Sequence, residues 1–95
     1  MNLIQGAEAE KRGAKTIGVR PEHVRASRDA GDWVGTVAIA EHLGSDTVLH
    51  VSVEGLGMVK ARVEGEFGLR HGQQAYLTPD PTKIHRFDAD GNTMQ

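Results

Sequence analysis

Five histidines are the residues of this 95-residue chain best suited to chemistry, since a neutral imidazole can bind zinc or carry a proton. They stand at positions 23, 42, 50, 71 and 85. No His-x-His pair and no helical pair presents two imidazoles to one zinc ion. We therefore interpret each histidine as surface or half-buried, and we expect no metal site.

The other reactive side chains form no catalytic pattern. The carboxylates are spread singly, whereas general acid–base chemistry needs them placed together. The serines lack the strand–turn–helix setting of a nucleophile. The chain has no cysteine, which excludes thiolate nucleophiles, disulfides and cysteine-based zinc sites. Phosphate-binding loops and dinucleotide-binding glycine patterns are also missing. The sequence therefore predicts that this chain is no enzyme and holds no cofactor.

Nucleic-acid binding is also disfavoured by charge and by the placement of the aromatic residues. The formal net charge is −2, whereas a nucleic-acid-binding domain normally carries a basic stripe. The four aromatic residues fall on separate segments, and Lys or Arg flanks few of them: Trp33, Phe67, Tyr76 and Phe87. A groove that stacks single-stranded bases needs both features together. We expect no nucleic-acid partner.

The segments that carry these side chains alternate with a period of two, which is typical of half-buried strands. Residues 33–43, 46–53 and 57–65 each have one apolar and one mixed face, as in an antiparallel sheet with a solvated side. Residues 15–20, 73–79 and 83–87 are shorter strand candidates, and residues 21–24 predict a turn. The predicted core is Val37, Ile39, Leu49, Val51, Val53, Val59, Ala61, Val63 and Leu77. This pattern predicts a small antiparallel barrel or sandwich.

The apolar pattern also predicts the register of the hairpin formed by residues 33–43 and 46–53. A three-residue loop, Gly44–Asp46, places Leu43 opposite Thr47. The same register then sets Ile39 opposite Val51 and Val37 opposite Val53, so that one face is uniformly apolar.

Several ordered motifs resemble one known family. They are Arg20-Pro21-Glu22-His23, Glu41-His42-Leu43-Gly44 followed by Asp46-Thr47, and His85-Arg86-Phe87-Asp88. The same order is found in the C-terminal, transport-associated domain of the ATP-binding subunits of bacterial sugar-type ABC importers, such as the maltose and glycerol-3-phosphate import ATPases. Met1-Asn2-Leu3 also looks like the opening of that domain. The stretch before Arg20 is shorter than in many relatives.

The resemblance implies an all-β, antiparallel open barrel of the oligonucleotide/oligosaccharide-binding (OB) type, with its first strands shortened or missing. We expect residues 1–14 to be a linker or tail, residues 15–90 to be the β domain and residues 91–95 to be a tail. If the first strands of the barrel are shortened or missing, an edge of the sheet is left exposed to a partner.

The function implied by the resemblance is that of a non-catalytic accessory or regulatory domain in sugar or polyol uptake. Its partners would be the ATPase core of the same polypeptide, a second copy of the subunit and, through the parent protein, the membrane subunits of the transporter. ATP and magnesium would bind only in that core, on the cytoplasmic face of the plasma membrane. The alternative is a free-standing OB-type module that binds a small ligand or single-stranded nucleic acid.

The candidate partner-facing or ligand-binding residues lie in three places: the segment before Val24, the turn after Leu43 and the last predicted strand. They are Arg20, Glu22, His23, Ser45, Asp46, His85 and Asp88. Each also has a structural interpretation, since Glu22 can organise a turn and Asp46 can satisfy turn amides. Phe87 is interpreted as a residue that packs on the core.

Overall fold

A computed structural model describes residues 1–65 and 68–94, so that Phe67 and Gln95 of the sequence interpretation lie outside the described residues. The strands within these residues are β1 Asn2–Gln5, β2 Thr16–Val19, β3 Val24–Ser27, β4 Trp33–Leu43, β5 Asp46–Val53, β6 Gly57–Glu64, β7 Gln74–Pro79, β8 His85–Phe87 and β9 Thr93–Met94. One short helix, α1, spans Ala7–Lys11, and single 3-10 turns span Pro21–His23 and Pro81–Lys83.

The strands form two antiparallel sheets. One contains five strands in the order β3-β7-β4-β5-β6, and the other contains four in the order β1-β2-β8-β9. The two edges of the five-stranded sheet, β3 and β6, approach one another, but no ladder joins them among the described residues. The sheet is therefore curved but not closed. The prediction of a small all-β antiparallel domain is confirmed, and the open arrangement is compatible with the OB type.

Among the described residues, six strands were predicted close to their observed bounds, including the short strands β2, β7 and β8, whereas β1, β3 and β9 were missed. β4 and β5 begin and end where the alternation of side chains begins and ends. The linker predicted for residues 1–14 is wrong where β1 and α1 stand, because Ile4 and Ala9 are buried in the core there. The terminal tail is likewise wrong at β9, which pairs with β8. β3, Val24–Ser27, was not among the predicted strands.

The predicted register of the β4–β5 hairpin is wrong. The observed loop has two residues, Gly44 and Ser45, and Leu43 pairs with Asp46. Gly44 has a φ of 72°, which fits a type II′ turn with glycine in its first central position. Further along, Val37 pairs with Val51 and Ile39 pairs with His50, so that Ala38 has no partner in the ladder. This β-bulge lets the two-residue turn coexist with an apolar core face on which Val37 lies opposite Val51.

The bulge decides which side chains enter the core. Val37 is fully buried before it, whereas Ile39, just after it, is turned outward and is 53% exposed. Ala40 then packs against the core in its place. The other predicted core residues are buried, except that Val63 is half-buried: Leu49, Val51, Val53, Val59, Ala61 and Leu77.

The side chain of Asn2 joins the two sheets. Its Nδ2 donates to the carbonyl oxygen of Lys60 at 2.8 Å, and its Oδ1 accepts from the Lys60 N–H at 2.8 Å. Asn2 lies on β1 and is only 7% exposed, while Lys60 lies on the unpaired edge of β6. A primary amide has the donor and acceptor of a peptide group, so it caps this edge as a neighbouring strand would.

We expect Leu49→Ala to lower the free energy of unfolding by about 2–4 kcal/mol, because it leaves a cavity at a fully buried site. Ile39→Ala, at the exposed position after the bulge, should change it by less than about 0.5 kcal/mol. Urea titration of both variants measures the difference. An Ile39→Ala loss as large as that of Leu49→Ala would contradict the bulge.

Asn2→Ala should lower the free energy of unfolding by about 1–2 kcal/mol, because two hydrogen bonds to Lys60 are lost. The N–H and C=O groups of Lys60 must then find water as their partner. Gln5→Ala is the matched control, since Gln5 is an exposed residue on the same strand. Equal thermal stability of the two variants would show that the amide does not join the sheets.

Candidate functional site

A groove of about 670 Å³ lies at the seam where β3 and β6 approach one another. The 3-10 turn Pro21–His23 forms one wall, and the ends of β6 and β7 form the other. We call it the seam groove. Its ionisable side chains are Glu22, His23, Arg25, Arg62, Glu64 and Asp80. The groove is therefore lined by polar groups of both signs.

Backbone hydrogen bonds fix the position of the 3-10 turn against the end of β7. The His23 N–H donates to the Arg20 carbonyl at 2.9 Å and closes the turn, with Pro21 at its first position. The Asp80 N–H then donates to the His23 carbonyl at 2.9 Å. Two of the sequence motifs, Arg20–His23 and the segment that begins at Pro79, are thus joined through their backbones.

Asp80 keeps its carboxylate ionised at the mouth of the groove. The hydroxyl of Thr82 donates to it at 2.7 Å and the Thr82 N–H donates at 2.9 Å. These two bonds, the side-chain one first, hold the pKa of Asp80 below its ordinary value, with smaller contributions from the positive charges of Lys83 and His23. Sequence reasoning did not select Asp80, although the Asp-Pro-Thr run is a recognisable turn signal.

Asp46 acts on the groove through Arg62. Its Oδ2 accepts from Nε of Arg62 at 2.8 Å and from Nη2 at 2.7 Å. The carboxylate is thereby occupied, and the guanidinium is held at the groove rim. Ser45, the other candidate from this turn, is exposed, and its carbonyl accepts from the Gly65 N–H at 2.6 Å. Both residues thus have structural contacts.

The remaining candidates do not share one surface. Arg20 is exposed just before the 3-10 turn and has no ion pair with another described residue. His85 lies on the four-stranded sheet, opposite Gly18. Asp88 lies just past β8, and its carboxylate accepts from the backbone N–H groups of Asp90 and Asn92 at 2.9 and 3.0 Å. The structure therefore brings Glu22 and His23 together, and it places His85 and Asp88 elsewhere.

Sequence reasoning missed a charged cluster around Arg12. The Arg12 Nε donates to Glu8 at 2.9 Å, Nη2 lies 3.6 Å from Asp32, and the guanidinium stands 6.0 Å from the centre of the Trp33 ring. The signal was the spacing of four between Glu8 and Arg12 on a helix. The sequence analysis instead expected a linker or tail over residues 1–14. The cluster fastens α1 to the start of β4.

Within this cluster the pKa of Glu8 lies below its ordinary value. Burial is the largest single influence and on its own would raise the pKa. The N–H groups of Trp33 and Arg12 that face the carboxylate, together with the positive charges of Arg12 and Lys11, outweigh burial. Ionised Glu8 is therefore favoured by the folded state.

Among residues 1–65 and 68–94, no three His, Cys, Asp or Glu side chains are grouped so that they could hold a metal ion. The described part of the chain likewise contains no helix of the length and apolar character needed to cross a bilayer. The described residues of the seam groove present charged side chains of both signs.

Comparison with known proteins identifies relatives of most of the chain. The model of the TOBE domain family matches residues 17–87. The chain is 35% identical over 85 residues to the alpha-glucoside transport ATP-binding protein of Rhizobium meliloti, which covers 84% of this chain and 23% of that protein.

Two further relatives match a similar share. The chain is 32% identical over 83 residues to the sn-glycerol-3-phosphate import ATP-binding protein of Chromohalobacter salexigens, covering 82% of this chain and 22% of that protein. It is 32% identical over 74 residues to the sulfoquinovosyl glycerol transport ATP-binding protein of Agrobacterium fabrum, covering 77% of this chain and 20% of that protein. The chain thus spans between a fifth and a quarter of the length of these relatives.

The stability contributed by Glu8 should depend on pH in a defined direction. Because its pKa is lowered in the folded state, the contribution is present above the ordinary value of about 4.5 and is lost as the pH falls through the folded value. Glu8→Gln should therefore be less stable than the parent at pH 7, and the two should converge only as the pH falls from about 4.5 through the lowered pKa of the folded state. Denaturant titrations at a series of pH values measure this.

Glu10→Gln, on the exposed side of the same helix, is the matched control and should differ little from the parent throughout. A Glu8→Gln deficit that stays constant down to pH 2 would mean that side-chain packing, rather than charge, accounts for it.

Proposed function

This chain belongs to the TOBE domain family, and we propose that it serves as a non-catalytic accessory domain of the ATP-binding subunit of an ABC importer. The observation that carries the proposal is that one segment matches part of three import or transport ATP-binding proteins. The seam groove supports it, because it presents charges of both signs to a partner, and hydrogen bonds hold two of them, Arg62 and Asp80, in place.

The substrate class follows from the names of the relatives. Those names specify an alpha-glucoside, sn-glycerol-3-phosphate and sulfoquinovosyl glycerol, each of which is a sugar or polyol derivative. We propose that the parent protein of this chain takes part in the uptake of a solute of that kind. The choice of solute would rest with other subunits of the importer.

The proposed partners are the ATPase core of the same polypeptide, a second copy of the subunit and, through the core, the membrane subunits on the cytoplasmic face. ATP and magnesium would be bound by the core. The contribution of this domain would be to support dimerisation of the subunit and to receive regulatory signals. We propose Arg20 and Glu22 for such contacts: both are exposed, Glu22 lines the seam groove, and Arg20 directly precedes the 3-10 turn that forms its wall.

The isolated 95-residue chain should neither bind nor hydrolyse ATP. Binding a triphosphate takes the amides of a glycine-rich loop, a lysine that reaches the phosphates and a hydroxyl on magnesium, and this sequence lacks that combination. Titration calorimetry with Mg-ATP should show no saturable heat. Binding at micromolar affinity would overturn the assignment as an accessory domain.

A chimera tests the function itself. The ATPase core of the Rhizobium meliloti alpha-glucoside protein, joined to residue 1 of this chain, should support solute uptake in cells that lack the native subunit. Arg20→Glu in that chimera should alter uptake or its inhibition and leave basal ATP hydrolysis close to that of the parent chimera.

Glu54→Arg is the matched control, because Glu54 is exposed on the turn between β5 and β6 and does not line the seam groove. If Arg20→Glu abolishes basal hydrolysis while the domain stays folded, the accessory role is wrong. Indistinguishable uptake in the two variants would remove Arg20 from the partner-facing surface.

A further inference from the structure

Backbone groups along β6 point alternately toward β5 and away from it, and two observed contacts fix which residues point where. The Gly65 N–H donates to the Ser45 carbonyl oxygen at 2.6 Å, so position 65 points toward the β5 side. Both backbone groups of Lys60 bond to the side chain of Asn2 and therefore point away from β5. Because the direction alternates from residue to residue, Arg62 also directs its N–H and C=O away from β5, into the seam groove.

The opposite wall of the seam groove has the same property. The Asp80 N–H donates to the His23 carbonyl oxygen, so the alternation along β3 directs the N–H and C=O of Ala26 away from β7. Pro79, which has no N–H, accordingly occupies a position of β7 whose backbone turns away from β3. No ladder joins β3 to β6 among the described strands. Arg62 and Ala26 thus offer a backbone donor and acceptor from each wall.

The seam is too narrow for an added strand. Cα atoms of β3 and β6 come within 8 Å of one another. A strand inserted between them would need roughly 9.5 Å, which is twice the spacing of neighbouring strands. The groove still has a volume of about 670 Å³, which leaves room for a side chain. An occupant that reaches the backbone of both walls is therefore a single side chain rather than an extended chain.

A primary amide matches these backbone groups better than a charged group does. A carboxylate only accepts hydrogen bonds and an ammonium or guanidinium only donates them, whereas a primary amide does both. The chain itself provides the precedent, because the Asn2 amide binds both groups of Lys60, two residues before Arg62 on the same edge. The Arg62 guanidinium is already bonded to Asp46, which weakens its attraction for a further carboxylate.

We propose that the seam groove binds the side-chain amide of an Asn or Gln residue of the partner protein. This inference rests on the proposed function and names the chemistry by which the groove recognises its partner. The amide donates to the Arg62 carbonyl oxygen and accepts from the Arg62 N–H, as the Asn2 amide does at Lys60. Its second N–H and the second lone pair of its oxygen remain available to Ala26 on the opposite wall.

Three small probes of similar size test the site on the 95-residue chain. Propionamide, propionate and propylammonium differ in whether they donate, accept or do both. In amide NMR spectra at neutral pH, propionamide should shift the Arg62 N–H signal to saturation, at least about fivefold further than either charged probe at equal concentration. Met58 is the internal control, because its backbone points off the same edge of β6 but does not line the seam groove. Its signal should not saturate.

Two variants separate the backbone of Arg62 from its side chain. Arg62→Ala removes the guanidinium and keeps both backbone groups, so propionamide should still shift the signals of residue 62 and Ala26. Arg62→Pro removes the N–H, at an edge position where a strand tolerates proline, and the shift at Ala26 should be lost. The proposal is overturned if propionamide saturates no groove signal in the parent chain or if Arg62→Ala abolishes the saturation. A saturable shift at Ala26 that persists in Arg62→Pro also overturns it.

Peptide probes identify the source of the amide. The blocked tripeptide Ala-Gln-Ala should saturate the Arg62 signal at least as tightly as free glutamine, and blocked Ala-Glu-Ala should not saturate it. Free glutamine that binds more than about tenfold tighter than the peptide would assign the groove to a small molecule and overturn the proposal.

The outcome for the amide site is separable from that for the accessory function, because these titrations use the chain alone. Absence of saturable binding contradicts the amide site and leaves the accessory function standing. Saturable binding by a chain whose chimera supports no uptake supports the amide site and contradicts the proposed function.

Discussion

The two hydrogen bonds between the Asn2 side chain and the backbone of Lys60 are the contact on which the arrangement of the two sheets depends. β6 is an edge strand, and an uncapped edge offers its N–H and C=O groups to any extended chain. Asn2 satisfies both groups of one residue and at the same time holds β1, and with it the four-stranded sheet, beside β6. The opening residues of the chain are therefore part of the domain, although their sequence resembles a linker.

The strands were predictable where a long segment shows a regular pattern of apolar and polar residues. They were not predictable where contacts with distant residues determine the local structure. β4 and β5 have eleven and eight residues, long enough for their bounds to be derived from the sequence. β1 and β3 have four residues each and were not predicted, and β1 lies in a segment that was expected to be a linker. The bulge at Ala38 was hidden because the apolar residues on both sides of it keep a plausible alternation. The Gly44-Ser45 pair was a signal for the two-residue turn, and the preference for a uniform apolar face overrode it.

The site was predictable to a similar extent. The motif residues Glu22 and His23 do line the seam groove, since the 3-10 turn that carries them packs against the end of β6. Asp46 contributes only through Arg62, a pairing across strands that spacing along the chain does not show. His85 and Asp88 belong to the other sheet. Glu22 and His23 therefore share the charged seam groove, whereas His85 lies on the other sheet.

The central claim is that this domain strengthens the association of an ATP-binding subunit with a second copy. Sedimentation velocity of the ATPase core alone and of the core joined to this chain, both without nucleotide, tests it most directly. The account predicts that the joined protein dimerises at least about tenfold more tightly, which corresponds to roughly 1.4 kcal/mol. Identical monomer–dimer equilibria for the two proteins would contradict it.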